Sequence, residues 1–129
     1  MIYRQISSKF AANFYQLLSS SKKIAITSHT SPDDDAVASS LAMYHLMTTK
    51  YPGKQTQIIY SNKPASRYQI FKNYHQIYFT NDFVSLVSDF DTVIFLDGSR
   101  FDRFTKSPDL FKENKFKTIC IDHHSSGYS

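Results

Sequence analysis

Residues Thr92 to Leu96 read Thr-Val-Ile-Phe-Leu, an apolar and β-branched run with no polar alternation. A strand with one wet face alternates polar and apolar side chains, because successive residues point to opposite faces. An unbroken apolar run is what a strand covered on both faces requires, and such strands belong to parallel sheets flanked by helices. This run therefore argues against a one-sided antiparallel sheet and predicts helices on either side of it in the chain.

Those helices are visible. Ser7 to Ser20 places Phe10, Phe14, Leu17 and Leu18 at the i, i+4, i+7, i+8 spacing of an amphipathic helix, with Ser7 or Ser8 as its cap. Lys23 to Thr27 predicts a short buried strand. Ala36 to Thr49 is helical, with Val37, Leu41, Tyr44 and Met43 or Met47 along one side, and Tyr51-Pro52-Gly53-Lys54 ends it. Thr56 to Tyr60 and Gln76 to Thr80 are further strands, separated by a loop with a short helix between Asn62 and Tyr74. Asn81 or Asp82 caps a helix through Phe83, Leu86 and Val87. Ser107-Pro108-Asp109 opens a short helix ending near Asn114, and Lys117 to Ile121 is the last strand. The alternation predicts an α/β fold: a parallel sheet with helices on both faces, formed by one domain spanning 1–129.

Composition supports a packed core, since hydrophobic residues make up 41% and aromatics 16% of 129 residues. A domain of this size buries roughly two-thirds of its unfolded surface. Cys120 is the single cysteine, which rules out a disulfide framework and fits a reducing compartment. No apolar run approaches the ~18 residues of a membrane span, and the first residues lack a leader-like apolar segment. A cytoplasmic protein without membrane attachment is expected. The net charge of +4 is spread along the chain and is compatible with an anionic substrate. Acids are unevenly typed, with ten Asp against Glu113 alone.

Three of the strands run straight into ligand-type residues. Lys23–Thr27 is followed by Ser28-His29-Thr30-Ser31-Pro32-Asp33-Asp34-Asp35, Thr92–Leu96 by Asp97, and Lys117–Ile121 by Asp122-His123-His124. Each has an ordinary reading. Ser31-Pro32-Asp33 could simply cap a helix whose dipole favours the acids beside it, and Asp97 could be a turn residue. Asp122-His123-His124 is harder to explain that way. It crowds three titratable groups behind a buried strand with no basic neighbour. A divalent cation resolves that crowding, because carboxylates and neutral imidazoles are its natural ligands. His45, inside a helical pattern, and His75, in an irregular stretch, read as surface or packing residues.

In open α/β sheets, ligands bind beyond the carboxyl ends of the strands, where strand order reverses. That rule gathers the three clusters at one edge. A carboxylate-rich set suits two metal ions about 3.5–4 Å apart, which activate water and neutralise charge on a phosphoryl group. Asp97, at the end of the most buried strand, is the candidate bridge between them. Neighbouring side chains on an extended segment point oppositely, so His123 and His124 are not expected to bind one metal together.

The order His29, Asp33, Asp35, Ala36, then Asp97, then Asp122-His123-His124 resembles the DHH phosphoesterase superfamily. The text PDDDAVASSLAMYHL, the Tyr51-Pro52-Gly53-Lys54 turn and the leading helix FAANFYQLL are similar to the subgroup of nano-RNases and pAp phosphatases. The resemblance implies a phosphoric ester hydrolase that binds nucleic acid, an oligoribonuclease acting on short oligonucleotides or nucleotide phosphates with two Mn²⁺ ions. It implies that His29, Asp33 and Asp97 hold one ion and Asp35, Asp97 and His123 the other. Asp122 would support the histidines, and His124 and Arg103 would contact the substrate phosphate, with Arg100 a weaker candidate. Asp34 is expected to be a bystander pointing away.

Three departures qualify the match. Asp34 and Ala38 stand where the family often has Gly. No acid follows Asp122, where the family carries another metal-binding Asp, and the family's C-terminal substrate-binding domain is absent. The chain is therefore expected to be the N-terminal part of such an enzyme, with the activity of the isolated chain left open. A homodimer is also left open. The alternatives are a non-catalytic nucleotide- or RNA-binding remnant, a cyclic-dinucleotide phosphodiesterase, or a pyrophosphatase of the same superfamily.

Overall fold

The structure, a computed structural model, describes residues 8–28, 32–96 and 117–121. In chain order these form α1 (Ser8–Ser19), β1 (Lys23–Thr27), α2 (Asp34–Lys50) and β2 (Gln55–Tyr60). Two 3-10 turns follow, Ser66–Ile70 and Tyr74–Gln76, then β3 (Ile77–Phe79), α3 (Phe83–Val87), β4 (Thr92–Leu96) and β5 (Lys117–Ile121). The strands pair in parallel throughout, in the order β3-β2-β1-β4-β5. The expected helix opening at Ser107 lies outside the described residues.

The unbroken apolar runs are explained by burial on both faces. All five residues of β4 are buried. One face of the sheet, carrying Ile24, Ile26, Ile58, Tyr60, Ile94 and Leu96, packs with Leu18 of α1 and with Val37, Leu41 and Met47 of α2. The other, carrying Ala25, Ile59, Val93 and Phe95, packs with Phe83 and Val87 of α3 and with Phe90. The period-two alternation is thus present in β1, β2 and β4, but both phases are apolar because both faces are covered. In β5, an outer strand, only Ile119 is buried.

Of the boundaries that differ from expectation, two do so for identifiable reasons. Helix α2 starts at Asp34 rather than Ala36, because the Asp33 carboxylate takes the cap position. Strand β3 is shorter than Gln76–Thr80, because Gln76 closes a 3-10 turn. The Thr80 N–H still donates to the Tyr60 carbonyl at 3.0 Å, extending the β2–β3 pairing by one bond.

The amino ends of the strands are stapled by Asp91. Its Oδ2 accepts from the backbone N–H groups of Lys22 (2.9 Å) and Lys23 (2.8 Å), and its Oδ1 from the Thr92 hydroxyl (2.8 Å). Partial burial pushes this carboxyl up. The donated bonds from Lys22, Lys23 and Thr92, with the Lys117 charge, outweigh burial and hold it below its ordinary value of 3.8. A group whose pKa is lower folded than unfolded adds stability above its unfolded pKa and loses it as pH falls through the folded one. Acid titration of unfolding should therefore show a loss of stability below about pH 4 that Asp91→Asn diminishes. An unchanged acid limb in that variant would remove Asp91 from this role.

Candidate functional site

The chain leaves β1 outward to β2 and β3, then crosses back to place β4 on β1's other side. The reversal of strand order therefore falls between β1 and β4, and in open α/β sheets the crevice for a ligand is expected beyond the carboxyl ends of such a pair. In the register, Thr27 lies opposite Phe95 and Leu96 opposite Ile121. Ser28, buried just past β1, donates its hydroxyl to the Leu96 carbonyl at 2.8 Å and ties the two tips together. The residues that immediately precede His29, Asp97 and Asp122 in sequence thus stand at or next to neighbouring strand tips. His29, Asp97, Arg100, Arg103, Asp122, His123 and His124 themselves lie outside the described residues.

Asp33 and Asp35 are described, and both are exposed at the start of α2. Asp33 has an extended backbone (φ −98°, ψ −169°), and its Oδ1 accepts from the Ala36 N–H at 3.0 Å. It is a true N-cap, yet a carboxylate offers about four lone-pair sites, and the cap bond uses one. Capping and metal ligation are therefore compatible in this side chain. Asp35 sits in the first helical turn, where the helix dipole stabilises a negative charge. Oxygen donors of this type suit a hard divalent cation. Among the described residues, no group of three His, Cys, Asp or Glu side chains converges.

The position of α2 is set by a buried polar link. The Tyr60 hydroxyl, at the end of β2, donates to Ser40 Oγ at 2.6 Å, and Ser40 Oγ donates to the Ala36 carbonyl at 2.8 Å. All three residues are fully buried. This fixes the first turns of the helix against the carboxyl end of the sheet. The sequence reading missed it, because Ser40 looks like any helical serine until its partner from 20 residues away is known.

Asp34, expected to point away from the site, has partners of its own. Its Oδ1 accepts from the Tyr68 hydroxyl and from Arg67 Nη2, the latter at 3.0 Å. The Tyr68 hydroxyl, followed by the Arg67 guanidinium, holds the Asp34 carboxyl below its usual value, and the same contact raises the Tyr68 phenol. Of the two lone histidines, His45 is exposed on α2 and borders a groove of about 380 Å³ with Leu41, Phe71 and Lys72. His75 is exposed and packs edge-on against Tyr74. Neither is at the crevice described above.

A solved structure of an exopolyphosphatase-related protein from Bacteroides fragilis has the same fold, with a TM-score of 0.86 at 24% sequence identity. The match covers 98% of this chain and 38% of that one, so the chain spans well under half of that protein's length. No curated protein matches the chain significantly. Residues 23–129, which hold the switch-point strands and the three ligand-type clusters, match the model described as the DHH family, N-terminal domain, and the chain belongs to that family.

Proposed function

We propose that this chain is the metal-binding DHH portion of a divalent-metal-dependent phosphoesterase acting on short oligonucleotides or nucleotide phosphates. The observation that supports this most is the adjacency of β1, β4 and β5, whose tips lead directly in sequence into His29, Asp97 and Asp122. Neighbouring strands lie about 4.8 Å apart, so three adjacent tips span roughly 10 Å. Carboxylate and imidazole side chains can close that distance around two ions about 3.5–4 Å apart.

In this reading His29, Asp33, Asp35, Asp97 and His123 would hold the metal pair, two Mn²⁺ ions, with Asp97 serving both. When bound, such a pair polarises the phosphoryl group and lowers the pKa of water. Asp122 orients the imidazoles, as outer carboxylates do in metal sites. His124 and Arg103 supply hydrogen-bond donors to the substrate phosphate, where charge-assisted bonds are strongest. Asp33 contributes from the N-cap, and Asp35 from the first turn, of a 17-residue helix.

The test is hydrolysis of a dinucleotide, pAp, a cyclic dinucleotide, pyrophosphate and inorganic polyphosphate, with Mn²⁺ and with chelator. Preferential, Mn²⁺-dependent cleavage of the dinucleotide or pAp is expected. Undiminished turnover in chelator would overturn the metal requirement, and preference for pyrophosphate or polyphosphate would overturn the substrate class. A second reading, a binding module without hydrolysis, is favoured by the exposure of the large apolar side chains Ile70 (86%), Phe71, Tyr78 and Phe79. Metal binding with no cleavage of any of the five substrates, even by a version joined to a C-terminal substrate-binding domain, would select it.

A further inference from the structure

Asp34 lies between the two described metal-ligand candidates, and its carboxylate is engaged by residues more than thirty positions away in sequence. Arg67 Nη2 donates to Asp34 Oδ1 at 3.0 Å and to the Tyr68 hydroxyl oxygen at 2.7 Å, while that hydroxyl donates to the same Asp34 oxygen. The guanidinium also lies 4.6 Å over the Tyr68 ring. Tyr68 is 3% exposed and belongs to the core cluster shared by α2 and the sheet. It stacks on Phe71 with centroids 6.2 Å apart and planes 21° from parallel. The link therefore joins the first turn of α2 to a ring that is itself immobilised by packing.

We infer that the Asp34–Tyr68–Arg67 link is a positioning device for Asp33 and Asp35. Successive helical residues project about 100° apart around the axis. Fixing the direction of Asp34 fixes the roll of the first turn, and with it the directions of the cap residue before it and of Asp35 after it. The Tyr60–Ser40–Ala36 bonds hold the same turn from the sheet side, so the turn is held on two sides. Metal sites depend on such supports: losing an outer-shell partner typically costs 10–100-fold in metal affinity. None of the three residues is proposed to touch metal or substrate.

This inference rests on the proposed metal-binding reading, and one measurement separates the two: Mn²⁺ titration of the full chain followed by the electron paramagnetic resonance of free Mn²⁺. Tyr68→Phe keeps the buried ring and removes the hydroxyl, and Arg67→Gln removes the guanidinium. Each is expected to weaken Mn²⁺ binding measurably, by up to about tenfold, because the link acts on Asp33 and Asp35 through the helix and bonds neither directly. Arg67→Lys, which keeps the charge but loses the planar fork, should recover part of that loss. The sign is diagnostic. Arg67 is a cation beside a cation site, so if it acted only as a charge its removal would tighten Mn²⁺ binding. Asp91→Asn, at the opposite edge of the sheet, serves as a control that lowers stability and leaves Mn²⁺ affinity unchanged. Unchanged or tighter Mn²⁺ binding in Tyr68→Phe and Arg67→Gln would overturn the positioning role. Equal weakening in Asp91→Asn would reduce it to general stability. Failure of the unmutated chain to take up Mn²⁺ would overturn the metal reading and this inference with it.

Discussion

Asp33→Ser is expected to preserve folding and abolish divalent-metal binding, whereas Asp33→Ala loses stability as well. The two roles of Asp33 have different chemical requirements. As the cap of α2 it needs one oxygen able to accept from the Ala36 N–H at 3.0 Å, which a serine hydroxyl supplies. Ser, Asp and Asn cap about equally well, while Ala costs about 1 kcal/mol. As a metal ligand it needs an anionic carboxylate, which serine does not supply. Removing the charge from the helix N-terminus costs a further 0.3–1 kcal/mol or so. Thermal unfolding should therefore show a small shift for Asp33→Ser and a larger one for Asp33→Ala. Mn²⁺ titration should show a loss in both that exceeds the roughly 10–100-fold caused by outer-shell changes. If Asp33→Ser binds Mn²⁺ as the unmutated chain does, Asp33 is a cap and nothing more.

What could be read in advance follows from the range of the interaction that fixes each feature. β1, β4 and β5 run over Lys23–Thr27, Thr92–Leu96 and Lys117–Ile121, as their composition predicts. Runs such as KIAIT and TVIFL are recognisable because burial on both faces leaves polar residues only at their ends. The placement of β1, β4 and β5 side by side also follows from a general rule of α/β topology rather than from any one residue. The stretch between Asn62 and Tyr74 was legible only as a loop with a short helix, because it has no periodicity to read. It forms a 3-10 turn over Ser66–Ile70, anchored by Tyr68 in the core. The partners of Asp34, Asp91, Ser28 and Ser40 were missed for one shared reason. Asp34, Asp91 and Ser28 find partners 33 to 69 residues away, and Ser40 is tied to Tyr60 twenty residues on. Side chains of this kind are common on surfaces and in turns, and only the fold separates the structural ones from the rest.

β4 carries an aspartate at each end, and the pair should divide stability from function. Asp91 precedes the strand and accepts two backbone N–H bonds and a hydroxyl bond at the amino edge of the sheet. Asp97 follows in sequence Leu96, the last residue of β4 at the carboxyl edge of the sheet. Asp91→Ala leaves the Lys22 and Lys23 N–H groups without their carboxylate and should destabilise the fold by about 1–3 kcal/mol. Its metal-dependent turnover per folded molecule should be unchanged, because the loss is a strand length away from the crevice. Asp97→Ala should do the reverse. As the proposed bridge it contributes to both ions, so its removal is expected to abolish Mn²⁺-dependent hydrolysis. Unfolding should stay within about 0.5 kcal/mol of the unmutated chain, the usual range for sites without a core or capping role. The two variants are compared by denaturant unfolding and by turnover normalised to folded protein. Measurable turnover in Asp97→Ala would remove it from the site. A turnover loss in Asp91→Ala that persists after normalisation would mean that the amino edge sets the geometry of the carboxyl edge through β4 itself.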